Sequence, residues 1–179
     1  ANGVVLISTK QGKENSARIT ANASYGLQSM WRKPALTNAR QWAMLRSEAI
    51  RANGGVPKPE LANYQALGEG TDWVDEVTRQ AAMQQYNLSI SGGREKSTYF
   101  ISGNYTAQEG IIKGSDFERV SGRINSSHQV RDWLKVGQNL TIESHSRHQV
   151  NAEDEWNATL IEAIAIDPVS PVYNEDGSY

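Results

Sequence analysis

Few residues in this chain have both the type and the spacing for chemistry. His145 and His148 stand three apart. That separation brings two imidazoles to one metal on a helical turn, but sends them to opposite sides of a strand. They read as surface histidines. Glu153, Asp154 and Glu155 have the charge to attract a cation, yet no alternation of oxygen ligands makes them a calcium loop. They are expected to cap a helix. No serine and histidine share a nucleophile motif, and Gly92-Gly93 reads as a turn, not a phosphate cradle. Arg94-Glu95-Lys96 reads as a solvated turn, and Gly110 and Gly114, framing Ile111-Ile112, as a hairpin tip. Asn22, Asn87, Asn104, Asn125, Asn139 and Asn157 all have glycosylation spacing, which arises by chance where Asn, Ser and Thr are this common. No catalytic residue, cofactor site or metal site is assigned, and an enzyme is not expected. Tryptophan is left. Trp31, Trp42, Trp73 and Trp156 carry rings that can stack on sugar faces or cover a peptide, although anchoring a helix is the more ordinary role. Trp31, Trp73 and Trp156 are the candidate substrate or lid contacts.

The elements that would hold these residues are strands. Residues 18–28, 86–92, 97–108, 117–128 and 133–144 alternate in period two, as strands with unlike faces do. Ile19, Ala21, Ala23, Tyr25 and Leu27 oppose Thr20, Asn22, Ser24, Gly26 and Gln28. Tyr86, Leu88 and Ile90 oppose Asn87, Ser89 and Ser91. Phe100 is the large exception on the wet face. The joints run short, long, short: residues 93–96, 109–116 and 129–132, after a gap at 29–84. A soluble sandwich also alternates. Joints sorted by sheet end, with Tyr25, Tyr86, Tyr99 and Trp133 near strand ends, favour an outer-membrane barrel meander.

The long joints contain helices. Asn38 with Gln41 makes a capping box before the stripe Trp42, Leu45, Ala49 and Ala52, which Gly54-Gly55 ends. A shorter turn of helix is expected over residues 72–77. Another, capped by Asp154, would carry Trp156, Leu160, Ile161 and Ile164 and stop before Asp167-Pro168.

The totals are permissive. The chain has 179 residues, 38% apolar and 21% charged, with net charge -2 and no cysteine. One sizeable core is affordable by length, general disorder is excluded, and no basic footprint points to nucleic acid. No apolar run approaches the roughly 20 residues of a spanning helix, but barrel strands need only about 9–11. Val4-Val5-Leu6-Ile7 follows Ala1-Asn2-Gly3 without a starting Met, and Asn174-Glu175-Asp176-Gly177 is a turn with little after it. Both edges look cut, so an internal fragment of a larger polypeptide is expected.

As an ordered set, these segments resemble a known family. Ala1-Asn2-Gly3-Val4-Val5-Leu6-Ile7-Ser8-Thr9-Lys10-Gln11-Gly12-Lys13 is similar to the end of the plug domain of SusC/RagA-type TonB-dependent transporters. Asp72-Trp73, Asn87-Leu88-Ser89-Ile90-Ser91-Gly92-Gly93, Gln108-Glu109-Gly110-Ile111-Ile112, Phe117-Glu118-Arg119, Gly122-Arg123-Ile124-Asn125, Trp133-Leu134-Lys135-Val136-Gly137 and Asp167-Pro168 continue the likeness in order. The resemblance implies an all-β antiparallel transmembrane barrel of roughly 22 strands, with helices in long extracellular loops. Residues 1–13 would end the plug, and 14–179 would be the first barrel strands and loops. It also implies import of glycans or peptides across the bacterial outer membrane of Bacteroidetes. The partners would be the rest of the same polypeptide, a SusD-like surface lipoprotein, outer-membrane lipid, and the TonB complex through an N-terminal region not in this chain. Residues 29–84, 109–116 and those after 147 would be extracellular, and the short joints periplasmic. The alternative is a secreted, soluble β-rich module that binds carbohydrate, which would pack Tyr86, Leu88 and Ile90 into a core.

Overall fold

The structure, a computed structural model, describes residues 3, 10, 12–13, 16–151, 158–174 and 176–178. The chain divides into two compact units. One comprises Ala1–Gln28, Ala81–Glu109 and Asp116–His148, and the other Ser29–Gln80, Gly110–Ser115 and Gln149–Tyr179. The strand expected over residues 3–10, and with it the plug boundary near Lys13, falls largely outside the described residues.

The first unit is one antiparallel sheet of five strands in chain order: β1 (Ser16–Gln28), β2 (Ala81–Arg94), β3 (Ser97–Glu109), β4 (Asp116–Arg131) and β5 (Leu134–His148). Alternation sets which side chains face together, and the register lines them up across the sheet. Ile19, Ile90, Ile101, Ile124 and Leu140 stand opposite one another in an unbroken row across all five strands. The next rows on that face are Ala21, Leu88, Gly103, Gly122 and Ile142, then Ala23, Tyr86, Tyr105, Val120 and Ser144. The Tyr86 and Tyr105 rings stack with centroids 6.1 Å apart. This face is open: Ile19 is 72% exposed, Leu88 53% and Ile142 65%. The soluble alternative requires the reverse.

Two strands are longer than their alternation indicates. β2 begins at Ala81 and not near Tyr86, and β5 runs to His148 and not Ser144. Backbone pairing continues there without an amphipathic signal. Trp133 lies in the turn before β5 and is exposed. Gly92-Gly93, expected as a turn, lies inside β2. The turn itself is Glu95-Lys96, with Glu95 in the left-handed region at φ 51. The glycines are there because other backbone comes close. A Cβ on Gly93 would meet the Lys13 carbonyl at 2.7 Å, and one on Gly12 would collide with the backbone of Gly92 and Tyr99. The other short joint, Asp132-Trp133, follows a register shift between Gln129 and Arg131. Lys96 Nζ and an Asp132 carboxylate oxygen, 3.0 Å apart, tie the two turns.

The second unit is built from the long joints. Its helices are α1 (Ala39–Ala52), α2 (Pro59–Ala62), α3 (Trp73–Val77) and α4 (Thr159–Ala165). Asn38 caps α1 with the full capping box: its Oδ1 accepts from the Gln41 amide at 2.9 Å, and Gln41 Oε1 accepts from the Asn38 amide at 3.2 Å. Asp72 caps α3. α4 starts at Thr159 after Ala158, later than the helix expected from Asp154; Asp154 and Trp156 lie outside the described residues. Among the described residues, the unit's buried hydrophobic side chains are small: Ala39, Ala43, Val74, Ala158 and Ala163. No helix of the described residues is long and apolar enough to cross a membrane, which does not bear on crossing by strands.

Candidate functional site

Two places have the geometry to meet a solute, one in each unit. On the sheet, the face opposite the aliphatic rows is polar, half-buried on β2 to β4 and exposed on β5. Asn22, Asn87, Asn104, Ser121 and Glu143 form one row; Thr20, Ser89, Ser102, Arg123 and Thr141 form the next. These rows are hydrogen-bonded sideways: the Asn87 amide donates to Asn104, Asn104 Nδ2 to the Ser121 hydroxyl at 3.4 Å, and Arg123 Nε to the Thr141 hydroxyl at 3.1 Å. Cross-strand side-chain bonds of this kind keep a wet face ordered without an aliphatic core. The segment before β1 touches the same face, where Asn125 Nδ2 donates to the Lys10 carbonyl at 2.8 Å. Gln85, Asn87, Phe100, Arg119 and Arg123 line a shallow hollow with Lys10.

The second place is a cleft of ≈ 260 Å³ in the loop unit. Trp42 on α1 and Trp73 on α3 both line it, with Pro34, Glu69 and Ile166. Cross-loop bonds hold its walls. The Trp73 indole donates to the Asp167 carbonyl at 3.1 Å, the Thr71 amide to the Pro168 carbonyl at 2.9 Å, and the Thr71 hydroxyl to the Ser170 carbonyl at 2.8 Å. Of the three tryptophans singled out from sequence, Trp73 is in this cleft. Trp31 is not: it stands 98% exposed. Trp156 is outside the described residues. Trp42, read from sequence as an anchor, joins Trp73. Its signal, a tryptophan four positions after the helix cap Asn38, was visible, but its neighbour Trp73 came from a different helix, α3.

The histidines are not brought together. His145 and His148 lie in β5 at positions of opposite parity; His145 Nδ1 is 3.8 Å from Glu143, and His148 Nδ1 is 2.9 Å from Asp116. Among the described residues, no group of three or more His, Asp or Glu side chains is placed to hold a metal.

No protein-family model matches the chain. Curated relatives do. A TonB-dependent receptor of Formosa agariphila is 33% identical over 183 residues, covering 100% of this chain and 18% of its own length. A second from that organism is 29% identical over 184 residues, 100% of this chain and 17% of the relative. The TonB-dependent receptor SusC of Bacteroides thetaiotaomicron is 28% identical over 181 residues, again 100% of this chain and 17% of the relative. The chain therefore spans less than a fifth of the length of these relatives. Among solved structures, the RagAB peptide transporter superposes with a TM-score of 0.77 over 95% of this chain and 22% of that one, at 22% identity. The RagAB peptide importer in its open-open state gives 0.61 over 80% of this chain and 19% of that one, at 24% identity. At such identity the likeness concerns the fold, which is that of a five-stranded antiparallel stretch of a TonB-dependent receptor barrel. Matched over its whole length to these receptors, SusC among them, the chain corresponds to a segment of a TonB-dependent receptor.

Proposed function

We propose that the chain forms part of the barrel wall of an outer-membrane importer of glycans or peptides. In this reading the aliphatic rows face lipid and the polar rows face the passage. One observation carries it: the row from Ile19 to Leu140 is continuous and open, while on β2, β3 and β4 the Asn and Ser residues behind it are half-buried. Water would not tolerate an apolar face this large, whereas acyl chains require it. Five strands do not close a barrel, and their edges need partners, so the remaining staves come from the rest of the polypeptide. The relatives' names support TonB-dependent uptake; in this reading it crosses the outer membrane, and a SusD-like lipoprotein caps the extracellular mouth. Residues 1–13 would close the plug, in keeping with Lys10 and Gly12 lying against the wet face. The long joints would be extracellular, presenting the Trp42–Trp73 cleft, with Trp31 and Trp156, to substrate or lid.

Cysteine labelling of the full-length receptor in its membrane tests this reading. Asn104→Cys should react with a water-soluble maleimide and Leu88→Cys only with a lipid-soluble one. Gly54→Cys and Glu95→Cys should be reached from opposite sides of the membrane. Reversed reactivity at residues 88 and 104 would sink the proposal.

A further inference from the structure

The net charge of -2 conceals an uneven distribution. Among the described residues, the polar face of the sheet carries Arg18 on β1, Arg119 and Arg123 on β4, and Lys135 and Arg147 on β5, against one acid, Glu143. Glu143 lies beside His145. Three of these cations form a descending stair. Arg147 stands opposite Phe117, Arg119 is two positions further along β4, and Arg123 four beyond that. At about 3.4 Å per residue, Arg119 and Arg123 are roughly 14 Å apart along the strand. Arg18 shares a row with Asn125, the residue that binds the Lys10 carbonyl. Lys10 lines one hollow with Arg119 and Arg123 and another with Arg18.

Glu143 lines one hollow with Arg119 and Arg123, but among the described residues no carboxylate lies within 4.0 Å of these guanidinium groups. Arg123 Nε is held by a neutral hydroxyl, and Arg119 Nε is buried without a hydrogen-bond partner. The chain segment lying on this face brings Lys10, which adds to the charge. The planar fork of a guanidinium matches a carboxylate in geometry and charge. We infer that the passage wall is built for solutes with repeated carboxylates, which Arg147, Arg119 and Arg123 engage in succession. The separation of the last two exceeds the size of a single carboxylate, so an oligomer with several acid groups fits better than a lone small anion.

This inference rests on the polar face lining the passage. The test uses purified full-length receptor, with tetragalacturonate and an aspartate-rich pentapeptide as carboxylated probes, and maltotetraose and the matching asparagine pentapeptide as neutral ones. In Arg119→Gln/Arg123→Gln, binding of whichever carboxylated probe the wild type takes should fall at least about tenfold, the scale of one charge-assisted hydrogen bond, and neutral binding should stay within about twofold. Preference for tetragalacturonate identifies an acidic glycan, and preference for the peptide an acidic peptide. Independently of any variant, raised salt should weaken the carboxylated probe and spare the neutral one. Equal affinity for charged and neutral probes, or indifference to salt and to both substitutions, would overturn the inference. The maleimide pattern at residues 88 and 104 separates that failure from failure of the barrel-wall reading.

Discussion

The two units solve the same problem, order in a chain with little conventional core, by opposite means. The sheet is held by ladders: backbone pairing throughout, with aliphatic rows on one side and amide and hydroxyl rows on the other. It buries almost no large side chain in this chain alone. The loop unit is held by small buried alanines and by individual donors reaching across sequence-distant segments, such as Trp73 to Asp167 and Thr71 to Ser170. On the proposed function, the difference is one of solvent: a stave between lipid and a wet passage needs only correct faces, whereas a loop body in water must close its own small core.

That contrast can be broken most sharply at the sheet. Ile101→Lys, in the middle of the aliphatic ladder, should destabilise the lipid-inserted receptor by roughly 2–4 kcal/mol, while Ser102→Lys on the facing row should be tolerated. Denaturant titration in liposomes reads both, and equal penalties would erase the distinction between faces. In the loop unit the vulnerable property is tightness. Ala43, fully buried in α1, replaced by Leu should cost about 1–3 kcal/mol by overpacking, seen as faster proteolysis of the loops with the sheet intact. A smaller loss, about 0.5–2 kcal/mol, is expected for Asn38→Ala through the lost helix cap, and hydrogen exchange should speed up in α1 but not in the strands. Least of all is a pH effect in the last turn. The Ser178 hydroxyl and amide hold the Asp176 carboxyl below its usual value, so the hold is present above the ordinary carboxylate range and is lost as pH falls through the lowered one. The NMR titration of Asp176 should shift upward in Ser178→Ala.

Much of the sheet was legible because one face of each strand had to be apolar and the other wet, and a period of two records that directly. The short joints were legible too, and so was the capping box at Asn38, since both depend on residues near in sequence. Legibility failed where residue types did not alternate although the backbone paired. The first residues of β2 and the last of β5 pair as strands without alternating. Gly92-Gly93 looked like a turn because its cause, the backbone of Gly12 and Lys13 passing close by, is far away in sequence. The loop cleft was half visible: Trp73 was singled out, and Trp42 became its neighbour only through packing.

By itself, then, the sequence determined face and handedness of exposure, stave by stave, because side-chain direction in a strand follows from position alone. What tertiary structure decided was register: that Ile19, Ile90, Ile101, Ile124 and Leu140 stand level, and that arginines from β1, β4 and β5 share one wet wall. Register is a property of pairs of strands, fixed by pairing between residues as far apart in sequence as Ser16 and Gly93, and no local pattern contains it.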